Sequence, residues 1–241
     1  MLSHPIHVIT NGDKKRLHYT KKALSNYKLK SKIFTFPRHP TNGKKGCFLS
    51  HIHLYKYAQQ NDLEYIIICE DSIIHTLNSI PKKTQEEINI LLNKPDWNII
   101  LLGGWFIPFT RFGKTTYSSI YKTTSIHGTS CYIIHKRLYT SILENDVDTI
   151  DEHIDRYLIK KAGTEAYIIS PVIFTRNNII PTTNTYFSNF IANIFYYINC
   201  SSILSNFWQY YAVHYVKVWI IILAIIIVIV MLCYFCKRKK I

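Results

Sequence analysis

Short apolar runs alternate with helix-forming segments along most of the chain. The runs Ile6–Thr10, Tyr65–Cys69 and Asn98–Leu102 are apolar almost throughout and rich in β-branched residues, a composition typical of strands covered on both faces of a sheet. A turn and a capping aspartate precede Lys14–Asn26, which is predicted to be a basic helix. The alternation predicts one α/β domain over residues 1–180, with a mixed, mostly parallel sheet.

The stretch from Gly46 to Ser72 carries the most informative pattern. Its first part places apolar residues at helical spacing, and a polar turn then leads into the strand Tyr65–Cys69. Glu70 and Asp71 follow at the carboxyl end of that strand. Ligands of open α/β sheets bind just outside the carboxyl ends of strands, so this acidic pair is well placed for chemistry.

Later segments continue the alternation. A helix is predicted over Pro81–Leu92, a strand over Ser130–Ile134 and another strand over Ala166–Ile169. The run Asn98–Leu102 ends in two glycines, and glycine at a strand end lets a neighbouring backbone or a ligand come close. Residues Phe106–Ser125 are predicted to be a loop, because they are rich in aromatic residues and threonine without a clear period.

The C-terminal part has a different composition. Residues 181–215 have almost no charge and accumulate aromatic residues, which predicts a membrane-proximal segment. Residues 216–236 are nearly unbroken apolar sequence, and a bilayer core of about 30 Å needs about 20 such residues. The pattern therefore predicts one transmembrane helix near the C-terminus, followed by a basic tail over residues 237–241.

The charge balance narrows the choice of ligands. Lys and Arg number 29 against 15 Asp and Glu, which gives a net charge of +14 and favours an anionic partner such as a sugar nucleotide, a membrane surface or nucleic acid. No nucleic-acid recognition motif is present, so nucleic acid is not expected. Cys47, Cys69 and Cys131 stand in apolar contexts without zinc-motif spacing and are predicted to be small core residues.

The motifs around the acidic pair resemble those of glycosyltransferase family 25, the lipooligosaccharide and collagen galactosyltransferase group. Its signature reads G-C-x-x-S-H, followed after a helix by an apolar strand that ends in E-D-D. This chain has Gly46-Cys47, Ser50-His51 and Glu70-Asp71 in register, with Ser72 in place of the third acid. Two later runs, PDWNIILLGG and GTSCYII, are similar to other blocks of the family, and the resemblance covers Ile6 to Asn177.

The resemblance implies a GT-A-like domain that transfers a hexose, such as galactose or glucose, from a UDP-sugar to a hydroxyl acceptor with inversion. The acceptor would be a glycan, a lipid or a protein. By the same resemblance Arg16, Ser50, His51 and Gly128 are predicted to bind the donor. Asp151 is predicted to be the catalytic base, with Asp148 one helical turn earlier and His153 as a local competitor.

Glu70 and Asp71 are the predicted metal ligands. Transferases of this kind commonly use Mn²⁺ or Mg²⁺, which favour carboxylate oxygens, to stabilise the departing diphosphate. Ser72 offers only a neutral hydroxyl where the family has a third acid, so metal affinity is expected to be weaker than in an E-D-D site. This substitution also leaves an alternative open, in which the chain is a catalytically degenerate membrane protein that acts as a binding or interaction module.

The sequence gives conflicting signals about membrane orientation. The basic tail Lys237–Lys240 and the acceptor motif at Asn199 favour a domain in the lumen. The residues before Ile6 contain no apolar core of the length that a signal peptide needs. We weight the second observation more strongly and expect a single-pass, C-terminally anchored protein whose domain faces the cytosol, with an endomembrane or virion membrane as its location.

Overall fold

A single mixed sheet organises the part of the chain that the computed structural model describes, which comprises residues 4–105, 112–124, 127–146, 149–176 and 219–229. Its strands are β1 Ile6–Thr10, β2 Ser31–Thr35, β3 Tyr65–Glu70, β4 Ile73–His75, β5 Ile99–Trp105, β6 Phe112–Gly113, β7 Ile120–Thr123, β8 His127–His135, β9 Ala166–Ile169 and β10 Phe174–Arg176. The α-helices are α1 Lys14–Asn26, α2 Gly43–Gln60, α3 Lys82–Leu92, α4 Lys136–Leu143 and α5 Ile154–Ala162.

The strand order is β2-β1-β3-β8-β5-β9-β7-β6, and β10 pairs with both β4 and β5. Strand β1 lies parallel to β2 and to β3, and β5 lies parallel to β9. Strand β8 runs antiparallel between β3 and β5. The prediction of a mixed α/β domain is confirmed, and the three strands predicted from apolar runs lie in one sheet.

Helices cover both faces of the sheet, which explains why its central strands are apolar throughout. In β3, Ile66 and Ile68 pack in a cluster with residues of α2, α4 and α5. Ile67 and Cys69 point the other way, into a cluster with residues of α1 and α3. Side chains alternate across a strand, so a strand buried on both faces has apolar residues at successive positions.

Several element boundaries match the sequence prediction and others correct it. Strand β1 and helix α1 have the predicted bounds, and Gly103 makes the predicted close approach, because a Cβ there would lie 2.6 Å from the carbonyl oxygen of Phe174. The predicted loop over Phe106–Ser125 is wrong in part, because its described residues include the short strands β6 and β7. Strand β7 is short and pairs antiparallel with β9, and so short a strand leaves little periodic signal in the sequence.

The predicted transmembrane segment is described only in part. Residues 219–229 are helical. Among the described residues, no helix combines the length and the apolar character needed to cross a membrane. The rest of the predicted segment, the membrane-proximal residues 181–215 and the basic tail lie outside the described residues, so the membrane anchor and its orientation stay predictions.

Candidate functional site

An open cleft of about 510 Å³ lies at the carboxyl ends of β1 and β3, where the loop before α2 closes one side. This is the edge at which open α/β sheets bind ligands. Three arginines and two carboxylates line the cleft together: Arg16, Arg38, Arg176, Glu70 and Asp71. The acidic pair and Arg16, both predicted from the sequence, therefore share one site.

Arg16 and Asp71 form a buried ion pair at the floor of the cleft. The Asp13 side chain caps α1 by accepting hydrogen bonds from the amides of Lys15 and Arg16, which places Arg16 on the first turn. Its Nε donates to Asp71 Oδ1 at 2.7 Å and its Nη2 lies 2.6 Å from the same oxygen, while the Thr10 hydroxyl donates to Oδ2 at 2.8 Å. Both carboxylate oxygens of Asp71 are thus engaged by the protein itself.

Glu70 is held less completely than its neighbour. Its Oε1 accepts a hydrogen bond from the Thr129 hydroxyl at 2.7 Å. The Nε2 atom of His51 lies 3.6 Å from Oε1, which is too long for a hydrogen bond. Burial raises the pKa of Glu70, but His51, the Thr129 hydroxyl and the charge of Arg176 outweigh it and lower the pKa below its usual value. Glu70 is therefore a carboxylate anion whose oxygens can accept further hydrogen bonds or bind a cation.

His51 lies behind Glu70 and is fully buried. Its Nδ1 is 2.6 Å from the Tyr132 hydroxyl, which is 2.7 Å from the Tyr55 hydroxyl. These contacts fix the ring so that Nε2 faces Glu70, and Nε2 has no hydrogen-bond partner among the described residues. The predicted donor-binding role of His51 stays a prediction, and the ring does not itself line the cleft.

Cys47 precedes His51 by one helical turn and completes this group. Its Sγ, the Nε2 atom of His51 and a carboxylate oxygen of Glu70 all lie within 4.8 Å of one another. Burial raises the pKa of the Cys47 thiol, and the charges of Glu70 and Asp155 raise it further. Cys69 and Cys131 are core residues as predicted, whereas Cys47 is only half-buried and lines the cleft.

Packing explains the glycine of the G-C-x-x-S-H motif. A Cβ on Gly46 would lie 2.8 Å from the Cβ of His39, so glycine lets α2 approach the preceding loop. Ser50 lines the cleft and donates to the carbonyl of Gly46 at 2.8 Å. Ser72 is fully buried with a φ of 68°, does not appear among the residues lining the cleft, and has a hydroxyl without a partner among the described residues.

The predicted base, Asp151, lies on the surface and does not line the cleft. The side chain of Asp151 is 78% exposed, and its Oδ1 is 2.5 Å from Lys44 Nζ; the hydrogen bond and charge of Lys44 lower its pKa. Asp151 is not among the residues that line the cleft, and its role stays a prediction. The neighbouring Asp155 accepts a hydrogen bond from the amide of Gly128 at 2.8 Å, which links it to the predicted donor-binding glycine.

Sequence reasoning overlooked five residues of this region. Arg38 and Arg176 carried no motif signal, because one lies in a loop and the other in a short strand at the end of the matched region. Thr129 matched a family block without being given a role, and Asp155 was given none either. Cys47 matched the signature, but its apolar neighbours suggested a core position.

The residues present do not fit Mn²⁺ or Mg²⁺ at the acidic pair. Hard cations of this kind take about six oxygen ligands in all. Asp71 has both oxygens engaged by Arg16 and Thr10, and Ser72 is buried away from the cleft. Glu70 keeps more capacity for a cation than Asp71, and the metal-ligating side chains grouped with it are those of Cys47 and His51, which offer a sulfur and a nitrogen rather than carboxylate oxygens.

Comparison with known proteins identifies the class and then the family. The model of a family of transferases, described as glycosyltransferase family 25 (LPS biosynthesis protein), matches residues 11–175, which is most of the chain. The chain belongs to glycosyltransferase family 25. Comparison with curated protein sequences gives no significant match.

Solved structures resemble the chain only distantly. A197 from STIV is 10% identical, with 68% of this chain and 80% of that chain covered and a TM-score of 0.46. A glycosyltransferase involved in the glycosylation of the major capsid of PBCV-1 is 10% identical, with 74% and 95% covered and a TM-score of 0.43. The catalytic domain of Drosophila beta1,4galactosyltransferase 7 is 11% identical, with 79% and 78% covered and a TM-score of 0.41. Similarity at this level supports no functional argument.

Proposed function

We propose that the cleft binds a UDP-sugar and transfers its hexose, galactose or glucose, to a hydroxyl group of a glycan, lipid or protein acceptor with inversion. The observation that carries this proposal is the group of Arg16, Arg38 and Arg176 at the carboxyl ends of β1 and β3 in a chain of this family. Guanidinium groups suit a diphosphate, because they donate paired hydrogen bonds to its oxygens.

Asp71 holds the Arg16 guanidinium in a fixed orientation at the floor of the proposed donor site. Asp71 orients the guanidinium through two contacts, and both side chains are at most 8% exposed. Arg38 is exposed on the loop at the mouth of the cleft. Preorganised positive charge stabilises a diphosphate as negative charge develops on it during departure.

Transfer in this proposal is a single displacement. The acceptor oxygen forms a bond to the anomeric carbon as the bond from that carbon to the diphosphate oxygen breaks, and the hydroxyl proton passes to a carboxylate. Asp151 is the proposed base. Asp155 is the second candidate, because its hydrogen bond to the Gly128 amide ties it to the matched block beside Glu70.

A degenerate binding module is the second candidate function. Ser72 replaces the third acid of the family signature, and Asp71 is committed to Arg16 and Thr10. A cleft with these features would keep the ability to bind a nucleotide diphosphate while lacking an efficient way to transfer its sugar.

The experiment is UDP release by the purified full-length chain from UDP-galactose and UDP-glucose, with and without an oligosaccharide acceptor. We expect release by the native chain and strong loss in Arg38→Ala, with no loss in Arg137→Ala, a matched arginine paired with Glu165 outside the cleft. Binding of UDP without release from any donor would favour the module. Neither binding nor release at millimolar UDP would refute both candidates.

Membrane attachment belongs to the same proposal. The helical residues 219–229 present large apolar side chains that are between 50% and 62% exposed, and we propose that lipid covers them as part of a single C-terminal anchor. Protease treatment of intact microsomes tests the orientation. Digestion of the domain supports a cytosol-facing protein, whereas protection together with a glycan on Asn199 contradicts it.

A further inference from the structure

We propose that Cys47, His51 and Glu70 bind a borderline-soft divalent cation such as Zn²⁺, with a fourth position open toward the cleft. This site differs from the predicted Mn²⁺ or Mg²⁺ site in two of its three ligands. It also stands apart from sugar transfer, because metal binding is measurable whether or not the chain is active.

The spacing of the three ligand atoms suits this cation. Zinc bonds of about 2.0–2.3 Å in tetrahedral geometry separate neighbouring ligand atoms by roughly 3.3–3.8 Å. The His51 Nε2 and Glu70 Oε1 atoms are 3.6 Å apart, within that interval. The Cys47 sulfur lies within 4.8 Å of both partners, so a shift of roughly 1 Å, or a change of rotamer, completes the set.

The orientation of His51 is the second, independent observation. The ring is fully buried, and the Tyr132 hydroxyl holds its Nδ1 at 2.6 Å. The Nε2 atom therefore points at Glu70 without a hydrogen bond, although buried polar atoms are nearly always paired. A metal-binding histidine typically has its second nitrogen held by a hydrogen-bonding group in this way.

A proton on Nε2 is the competing occupant of this gap. With Nδ1 accepting from the Tyr132 hydroxyl, the ring would be a neutral imidazole whose Nε2–H faces the Glu70 carboxylate, but at 3.6 Å the two atoms are too far apart for a hydrogen bond. A cation between them would instead bond to both atoms and to the sulfur. The two occupants predict different results, because a proton leaves the thiol of Cys47 uninvolved.

The mixed donor set selects the kind of metal. Thiolate and imidazole ligands favour Zn²⁺ over Mg²⁺ and Mn²⁺, which prefer oxygen. Cys47 and Glu70 line the cleft, so an ion reaches them from solvent without unfolding the domain. Three protein ligands with an open fourth position is the arrangement of a reactive zinc site rather than a closed structural one.

The test is titration of the full-length chain with Co²⁺, whose thiolate complexes absorb in the near ultraviolet, followed by displacement with Zn²⁺ under reducing conditions. We expect one equivalent of Co²⁺ with a thiolate band that Zn²⁺ removes. The band should disappear in Cys47→Ser and weaken strongly in His51→Gln. It should persist in Cys69→Ala and in His53→Gln, which alter a core cysteine and an exposed histidine of the same helix.

Two results would overturn the proposal. One is a native chain that shows no thiolate band at millimolar Co²⁺, a result that needs no variant and is independent of variant folding. The other is a band of the same intensity in Cys47→Ser, which would place the site at another cysteine. Since UDP release is measured separately, failure of the metal site leaves the proposed sugar transfer standing.

Discussion

Glu87 is a buried carboxylate and Glu70 is a half-buried one in another region of the molecule, and the two have different numbers of hydrogen-bond partners. Glu87, on α3, accepts four hydrogen bonds of 2.5–2.9 Å from the amides and hydroxyls of Ser118 and Ser119. Burial opposes these bonds, but they lower its pKa to about 2. Glu70, in the cleft, has one hydrogen bond from Thr129 and a histidine nitrogen beyond bonding distance.

The difference separates a structural acid from one with capacity for a ligand. Glu87 fastens the segment before β7 to α3 and has no bonding capacity left. Asp71 lies between the two, because Arg16 makes two contacts with its Oδ1 while its Oδ2 accepts one hydrogen bond, from Thr10. Of the two adjacent acids that resemble a metal motif in sequence, Glu70 has the greater capacity for a ligand.

The largest expected effect is on the rate of transfer when the catalytic base is removed. Asp151 and Asp155, the two candidates for this base, also differ in how the protein holds them. Asp151 is exposed beside Lys44, whereas Asp155 accepts the Gly128 amide. We expect Asp151→Asn to lower kcat about 10²–10⁴-fold, the usual cost of removing a general base, with UDP affinity nearly unchanged. Steady-state transfer kinetics and calorimetry check both quantities. If Asp151→Asn stays active while Asp155→Asn loses activity, the base is Asp155.

Arg16→Ala tests whether Asp71 is structural. The substitution leaves a carboxylate that is 6% exposed without its charged partner, and breaking a buried pair in this way costs about 3–5 kcal/mol of unfolding free energy. Urea denaturation measures the loss, with Lys14→Ala on the same helical turn as a surface control. The double variant Arg16→Ala/Asp71→Ala should recover part of the stability. A loss below about 1 kcal/mol, typical of surface pairs, would contradict the account.

The Glu87 carboxylate is expected to stabilise the fold at neutral pH and to lose this effect in acid. Its pKa is about 2 in the folded protein against 4.5 for the free side chain, so the stabilisation is fully present above pH 4.5 and is lost as the pH falls toward 2. The contribution is on the order of 3 kcal/mol. The free energy of unfolding, measured by urea denaturation between pH 7 and pH 2, should change less with pH for Glu87→Gln than for the native chain. The exposed neighbour Glu86, as Glu86→Gln, should leave the slope unchanged.

Tyr132→Phe has the smallest expected effect on stability. It removes the hydroxyl that contacts His51 Nδ1 and Tyr55, and leaving a buried polar group unpaired costs about 1–3 kcal/mol. Loss of such an orienting contact typically weakens metal binding about 10–100-fold. Cobalt titration of Tyr132→Phe checks this, with Tyr65→Phe on β3 as the control. Unchanged cobalt affinity would show that the ring needs no such support.

Local patterns predicted much of the fold but only part of the site. Strands β1 and β3, helix α1 and the position of Glu70 and Asp71 follow from apolar runs and turn residues that are contiguous in sequence. The ion pair between Asp71 and Arg16 could not be predicted from a local pattern, because the two residues are 55 positions apart in sequence. Asp71, which resembles a metal ligand in sequence, holds an arginine in the structure. Arg16 follows β1 and Asp71 follows β3, and the parallel pairing of these two strands brings the residues together.

The sequence also did not show that Cys47, His51 and Glu70 come together. The family signature contained Cys47 and His51, and a single helical turn puts both on one face of α2. Their proximity to Glu70 depends on packing of α2 against the sheet, and the orientation of His51 depends on Tyr132 in β8. Spacing within a helix is readable from sequence, whereas the distance from a helix to the end of a strand is set by tertiary packing.

The central claim is that the arginine-lined cleft binds a nucleotide diphosphate, and calorimetric titration of the full-length chain with UDP in the absence of divalent cations tests it most directly. Losing a hydrogen bond to a charged group costs about 1.5–3 kcal/mol, so Arg38→Ala should weaken UDP binding roughly tenfold or more. The control Arg137→Ala should bind UDP like the native chain. No UDP binding at millimolar concentration, or equal affinity in the native chain and Arg38→Ala, would contradict the account.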